Sequence, residues 1–247
     1  MLNNELFFDH VSEYYDDMIG FDKALVNRKA VLKTFIRPNM SDAVDLGCGT
    51  GLDSLSLALN GLNVTSFDIS EGMLEQAAIR ADEMDVIIDF NKSSLPDIPE
   101  SFHDKYNLAV SLGNTLAIID RNLLKSTISK AYSLLKNDGE FLLQILNFPR
   151  LIKNSERIIN ITRSTEKYFI RFYDFLDDSV DFNILSYEVA NPKKHDLVTT
   201  KLYPYSVDEI IALLKEAGFT KNNIYGSLSK SQFEPEKSND VVILAEK

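Results

Sequence analysis

The segment Ala43-Val44-Asp45-Leu46-Gly47-Cys48-Gly49-Thr50-Gly51-Leu52-Asp53-Ser54-Leu55 passes from an apolar strand through three alternating glycines into a helix. Glycine has no Cβ, so a chain leaving a parallel strand can turn sharply at Gly47, Gly49 and Gly51 and let a ligand touch its main chain. Val64-Thr65-Ser66-Phe67-Asp68-Ile69 reads as the neighbouring parallel strand. A carboxylate at its end, Asp68, can accept hydrogen bonds from two ribose hydroxyls. Loop and acid together outline a nucleotide-type pocket. The spacing is GxGxG rather than the GxGxxG of dinucleotide sites, and Asp45 stands two residues before the first glycine. Asp53, in the first turn of the following helix, would oppose an anionic phosphate there, although it suits the helix dipole.

Around this loop, strands and helices alternate. Two helical patterns, Asn4 to Met18 and Asp22 to Ile36, precede it, and Pro38 ends the second. From Asp42 the expected order is strand 43–46, helix 52–60, strand 63–68, helix 71–83, strand 85–89 and strand 106–111. Such alternation implies parallel pairing. Ser70 and Asp120 are candidate N-caps. Lys136-Asn137-Asp138-Gly139 turns the chain into an apolar strand, Phe141 to Leu146. After Pro149 the texture changes to short β-rich runs near 157–161, 168–173 and 182–189, separated by polar turns, which argues for antiparallel strands. The first pattern then resumes. Ser206 and Glu209 make a capping box, Gly218 stops the helix, and strands near Ile224 and over 240–245 complete the sheet. The predicted fold is α/β: a doubly wound, mostly parallel seven-stranded sheet with an inserted antiparallel β subdomain. Residues 1–40 form a helical lid, 41–150 and 205–247 a Rossmann-like core, and 151–204 a β cap, all within one domain.

Asp45-Leu46-Gly47-Cys48-Gly49-Thr50-Gly51, followed by Asp68-Ile69-Ser70-Glu71-Gly72-Met73-Leu74, resembles the first two motifs of class I S-adenosylmethionine-dependent methyltransferases. Leu112-Gly113-Asn114-Thr115-Leu116, Leu146-Asn147-Phe148, Leu202 to Ser206 and Ala217-Gly218-Phe219 resemble the glycine and sarcosine N-methyltransferase branch. The resemblance implies S-adenosylmethionine as cofactor and S-adenosylhomocysteine as product. It implies a cofactor site made of Tyr15, Arg28, Asp45, Gly47, Cys48, Gly49, Gly51, Asp68, Ile69, Met73, Ser93, Ser94 and Leu112. Asn114 would face substrate and share a positioning role in catalysis with Tyr15. A histidine often found four residues after this asparagine is Ile118 here. Arg28 could grip the cofactor carboxylate bidentately.

Several of these residues have a second reading. Met73 suits an adenine-facing wall or the core, and Ser93 and Ser94 an adenine contact or a solvent loop. Asn114 suits substrate or a turn, and Asp45 a cofactor contact or loop support. Tyr15 and Arg28 could instead decorate an exposed helix face. Arg171, between aromatics, is a candidate for a substrate carboxylate. Tyr203, Tyr205 and Tyr225 either line an acceptor pocket or pack as partly buried core.

Charge and composition narrow the function further. A formal charge of −11 repels phosphate backbones over about 8 Å at physiological salt, which disfavours nucleic acid as substrate. One cysteine makes no internal disulfide, and the three histidines lie in no ligand spacing, so no metal site is expected. No run approaches the roughly 18 apolar residues of a membrane span, and the expected location is cytoplasmic. The expected activity is methyl transfer to a small-molecule acceptor, an amine such as glycine or sarcosine. O- or C-methylation of a small metabolite and non-catalytic cofactor binding, as in a sensor, stand as alternatives, with an NAD-linked oxidoreductase behind them. Both monomeric and homo-oligomeric states fit the sequence.

Overall fold

A computed structural model describes residues 2–247; Met1, the first residue of the expected lid, lies outside the described residues. Two helices come first, α1 (Asn4–Ile19) and α2 (Phe21–Leu32). Asn3 caps α1 by accepting from Leu6 N–H. The second helix is shorter than expected, because its last turn tightens into a 3₁₀ segment, Lys33–Phe35. The core then follows: β1 (Asp42–Leu46), α3 (Leu52–Ala58), β2 (Asn63–Asp68), α4 (Glu71–Glu83), β3 (Asp89–Lys92), β4 (Tyr106–Ser111), α5 (Arg121–Leu134) and β5 (Leu135–Leu146). After a short helix, α6 (Phe148–Lys153), come the four cap strands β6 (Ile158–Arg163), β7 (Lys167–Phe175), β8 (Val180–Glu188) and β9 (His195–Leu202). The chain closes with α7 (Val207–Ala217), β10 (Lys221–Tyr225) and β11 (Asp240–Glu246).

Seven strands form one sheet in the order β10-β11-β5-β4-β1-β2-β3. Strands β1 to β5 pair in parallel, while β11 runs antiparallel to both β5 and β10. One face packs on α5 and α7 through Ile128, Leu134, Phe141, Ile210 and Leu214; the other receives α2 and α3 through Leu32, Leu57, Val110 and Leu142. Each such fully buried side chain contributes about 1.5–3 kcal/mol. The β strands of the cap form a separate antiparallel sheet, β6-β7-β8-β9. This is the expected class I architecture. No helix among the described residues is long and apolar enough to cross a membrane.

The sequence misplaces one strand. Val86, Ile87 and Ile88 have strand propensity, but α4 ends in a turn with Asp85 at φ 53, and Val86 N–H donates to Ala81 O at 3.0 Å. Val86 and Ile88 pack against Phe21 and Leu25 of the lid, so β3 begins only at Asp89. Tertiary packing overrides local propensity here.

Lid and cap are fastened to each other and to the core. Asp9 on α1 accepts from Ser70 Oγ (2.6 Å) and Gly72 N–H (3.1 Å) at the start of α4. Asn4 donates to Ile118 O at 2.9 Å and accepts from Thr200 Oγ1 of β9 at 2.6 Å. Phe7, Val11 and Met18 of α1 bury against Phe169, Ile184 and Val198 of the cap sheet.

Candidate active site

The glycine loop sits on the C-terminal ends of the parallel strands, where open α/β sheets place ligands. Gly47 and Cys48 N–H groups both donate to Phe67 O, at 2.8 and 3.1 Å, which holds the loop over the end of β2. Gly47 has φ 80, and a Cβ there would meet Thr115 Cγ2 at 2.3 Å. Only glycine allows this approach of the β1 and β4 ends. Gly49, at φ 54, has open space where a Cβ would stand. Its N–H donates to Asp68 Oδ2 at 2.8 Å, and Ser70 N–H donates to Asp68 Oδ1 at 2.9 Å. A carboxylate has about four acceptor positions, so two remain for hydroxyl donors. Burial pushes the Asp68 pKa up, against the pull of these backbone donors.

Loop, lid and cap enclose a cavity of about 650 Å³. Most sequence-predicted residues line it: Tyr15, Arg28, Gly47, Cys48, Gly49, Asp68, Ile69, Met73, Ser93, Ser94, Leu112, Asn114, Arg171 and Tyr203. Four others stand outside its wall. Asp45 is buried behind the loop, where it accepts from Ser54 Oγ at 2.6 Å; burial, with Asp53 nearby, pushes its pKa well up. Gly51 packs its Cα side toward Ala77. Tyr205 is a core residue whose hydroxyl donates to Ile119 O at 2.6 Å. Tyr225 packs on Phe35 at the far side of the sheet.

The cavity's polar groups are largely paired. Arg28 donates to Asp53. Asn114 has φ 74, and its Oδ1 accepts from Leu146 N–H at 3.0 Å, so the side chain is tied to the end of β5. Arg171 Nε donates to Asn160 Oδ1 at 2.8 Å, and burial lowers its pKa. Burial also raises the Tyr15 phenol. Tyr203 donates to Asp120 Oδ2 at 2.6 Å, which pushes its pKa up to about 12 and lowers that of Asp120. The Ser94 hydroxyl is engaged by Asp97. Thr50 Oγ1 is buried and makes no hydrogen bond. An unpartnered buried hydroxyl, open space at Gly49 and free acceptor positions on Asp68 fit a ribose-bearing ligand laid along this loop.

Gln144, Tyr173, Phe182 and Asp240 are among the cavity residues that escaped the sequence reading. Gln144 and Asp240 look like ordinary strand residues, and Tyr173 and Phe182 read only as β-rich cap. Their position at a strand end or on the inner cap face is set by sheet register, which carries no local signal.

A family model described as methyltransferase domain matches residues 43–139. That stretch is a methyltransferase domain, and the chain has the class I S-adenosylmethionine-dependent methyltransferase fold. Residues 43–139 carry the glycine loop, Asp68 and the Leu112–Thr115 turn. This methyltransferase is 28% identical over 220 residues to the carboxy-S-adenosyl-L-methionine synthase of Nautilia profundicola, covering 86% of each chain. It is 22% identical to the glycine/sarcosine N-methyltransferase of Aphanothece halophytica, covering 89% of this chain and 82% of the relative. Its fold matches an S-adenosylmethionine-dependent methyltransferase from Clostridium acetobutylicum with a TM-score of 0.74 at 20% identity, over 97% and 98% of the two chains.

Proposed function

We propose that this methyltransferase acts on a small amine that carries a carboxylate, as glycine and sarcosine do. The observation that carries the reading is Arg171: a buried guanidinium on the inner face of the cap, lining the same cavity as the glycine loop. A buried cation calls for an anionic partner, and only one of its nitrogens is engaged, by a neutral amide. Its planar fork matches a carboxylate bidentately. The glycine/sarcosine N-methyltransferase relative supports an amine as the group methylated.

In this reading Asp68 holds the ribose and Ile69, Met73, Ser93 and Ser94 surround the adenine. Arg28 and the loop main chain take the methionine end, with Leu112 beside it. Asn114, anchored on β5, and Tyr15 from the lid position the acceptor, and Tyr203 borders it. Asp45 supports the loop from behind. The donor brings an activated methyl on a sulfonium, so most of the barrier reduction asked of the protein is orientation, worth about 7–11 kcal/mol at best. Enclosure by lid and cap favours a small acceptor over a macromolecule.

The test is S-adenosylhomocysteine formation with a panel of glycine, sarcosine, simple amines, phenols, alcohols and carbon acids, with the consumed cofactor followed by mass. Turnover of amino acids above other amines is expected. Turnover confined to oxygen or carbon acceptors, a carboxylated cofactor as product, or tight cofactor binding with no turnover would each replace this reading.

A further inference from the structure

Among the described residues that line the cavity, the carboxylates are Asp53, Asp68, Asp120 and Asp240. Three are committed. Asp53 is held by Arg28; Asp68 accepts from two backbone N–H groups; Asp120 accepts from Tyr203 and from Asn122 N–H, where it caps α5. Among the described residues Asp240 makes no ion pair. It is half-buried, at the start of β11, directly across from Leu146 in the antiparallel register. Leu146 N–H is the group that anchors Asn114, so Asp240 and Asn114 flank one strand end. Gln144 stands beside the carboxylate, and its Oε1 accepts from Gly113 N–H at 3.4 Å, which leaves its amide NH₂ as the group facing Asp240. The field of Asp240 reaches Arg28 on α2 and Tyr173 on β7. It therefore stands between the methionine end of the donor site and the cap. No histidine lines the cavity among the described residues.

We propose that Asp240 is the catalytic proton acceptor of this enzyme, receiving the acceptor substrate's ammonium and taking one of its protons. This rests on the amine reading above. An aliphatic amine with a pKa of about 10 is almost wholly protonated at neutral pH, and its lone pair is unavailable. The N–H bond breaks, its electron pair stays on nitrogen, and the proton forms an O–H bond on Asp240. The freed lone pair attacks the sulfonium methyl, the C–S electron pair passes to sulfur, and Asp240 returns its proton to water. An unpaired, half-buried carboxylate suits both duties. Burial pushes its pKa up, toward better matching for a general base, while the Gln144 amide and Arg28 act in the opposite direction.

The experiment compares wild-type protein with Asp240→Asn and Asp240→Glu in two measurements. The first is calorimetry of the S-adenosylhomocysteine complex with dimethylammonium, which offers an ammonium and no carboxylate. Binding should weaken about tenfold or more in Asp240→Asn and be partly retained in Asp240→Glu. The second is kcat/KM against pH with the amine that turns over fastest. Asp240→Asn should lose about 100-fold at neutral pH and recover as pH rises toward the amine's own pKa, where the free base no longer needs an acceptor. Equal or absent dimethylammonium binding in wild type and Asp240→Asn overturns the proposal. So does an Asp240→Asn profile of unchanged shape, or a loss of S-adenosylmethionine affinity, which would put Asp240 in the donor site. Failure of the amine reading is separately visible: wild type would then methylate no amine, whatever dimethylammonium does.

Discussion

The two halves of this cavity are built by opposite means. The donor half is main chain: a loop whose N–H groups, positive φ angles and one carboxylate are set by residues within 43–70 of a single β-α-β unit. The half proposed to hold the acceptor is made of side chains from elements far apart in sequence. Asn4 of the lid, Asn114 after β4, Arg171 and Tyr173 of the cap and Asp240 of the last strand meet only because three separate layers close on one another. A backbone site tolerates little change in sequence because its geometry is the recognition. A side-chain site can be rewritten one residue at a time with the fold intact, which is how relatives of similar fold come to carry names for different reactions.

That contrast can be broken most sharply at Asp68. Asp68→Ala removes the ribose acceptor and frees two loop N–H groups, and cofactor affinity should fall by about 100-fold or more in calorimetry. Unchanged affinity would remove the donor half as described. Two of the three loop glycines should then separate folding from binding. Gly47→Ala drives a Cβ into Thr115 and should cost about 3 kcal/mol of stability in denaturant melts. Gly49→Ala enters open space and should cost only about 1 kcal/mol while abolishing cofactor binding.

In the acceptor half, Arg171→Ala should raise the acceptor KM about tenfold while leaving the cofactor Kd in place; a parallel loss of both would mean that the halves are coupled. At the lid, Asp9→Ala removes the bonds to Ser70 and Gly72. It should cost about 1 kcal/mol and speed hydrogen exchange in α1 before the core changes.

The smallest effect concerns Asp45. Its pKa is raised in the folded protein, so the native state holds its proton more tightly than the unfolded chain, and stability falls as pH rises from the unfolded carboxyl value, about 4, toward the folded one. Asp45→Asn should flatten that slope in melts as pH rises above the unfolded carboxyl value, with the wild type losing ground as pH increases. The drop from Asp68, of the same sign, would remain.

Local pattern made the strand-loop-helix order, the capping box at Ser206 and Glu209, and the antiparallel texture of the cap legible, because each depends on neighbouring residues. It failed at 85–89, where Val86 and Ile88 leave the sheet to pack under the lid. It left Tyr203 and Tyr205 open between pocket and core: the Tyr205 ring belongs to the core, while Tyr203, two residues earlier, lines the cavity.

What the sequence by itself determined is the donor: glycines that only a tight loop requires, and an acid at the end of the adjoining strand, encode a methyl-donor site in one short stretch. Only the tertiary structure decided which side chains line the proposed acceptor side of the cavity. Gln144 and Asp240 carry no motif, and the register of β5 against β11 alone brings them to the strand ends beside Asn114. Side-chain direction in a sheet alternates with every residue, so a contact across long sequence separation is settled by how strands pair, which no local pattern can state.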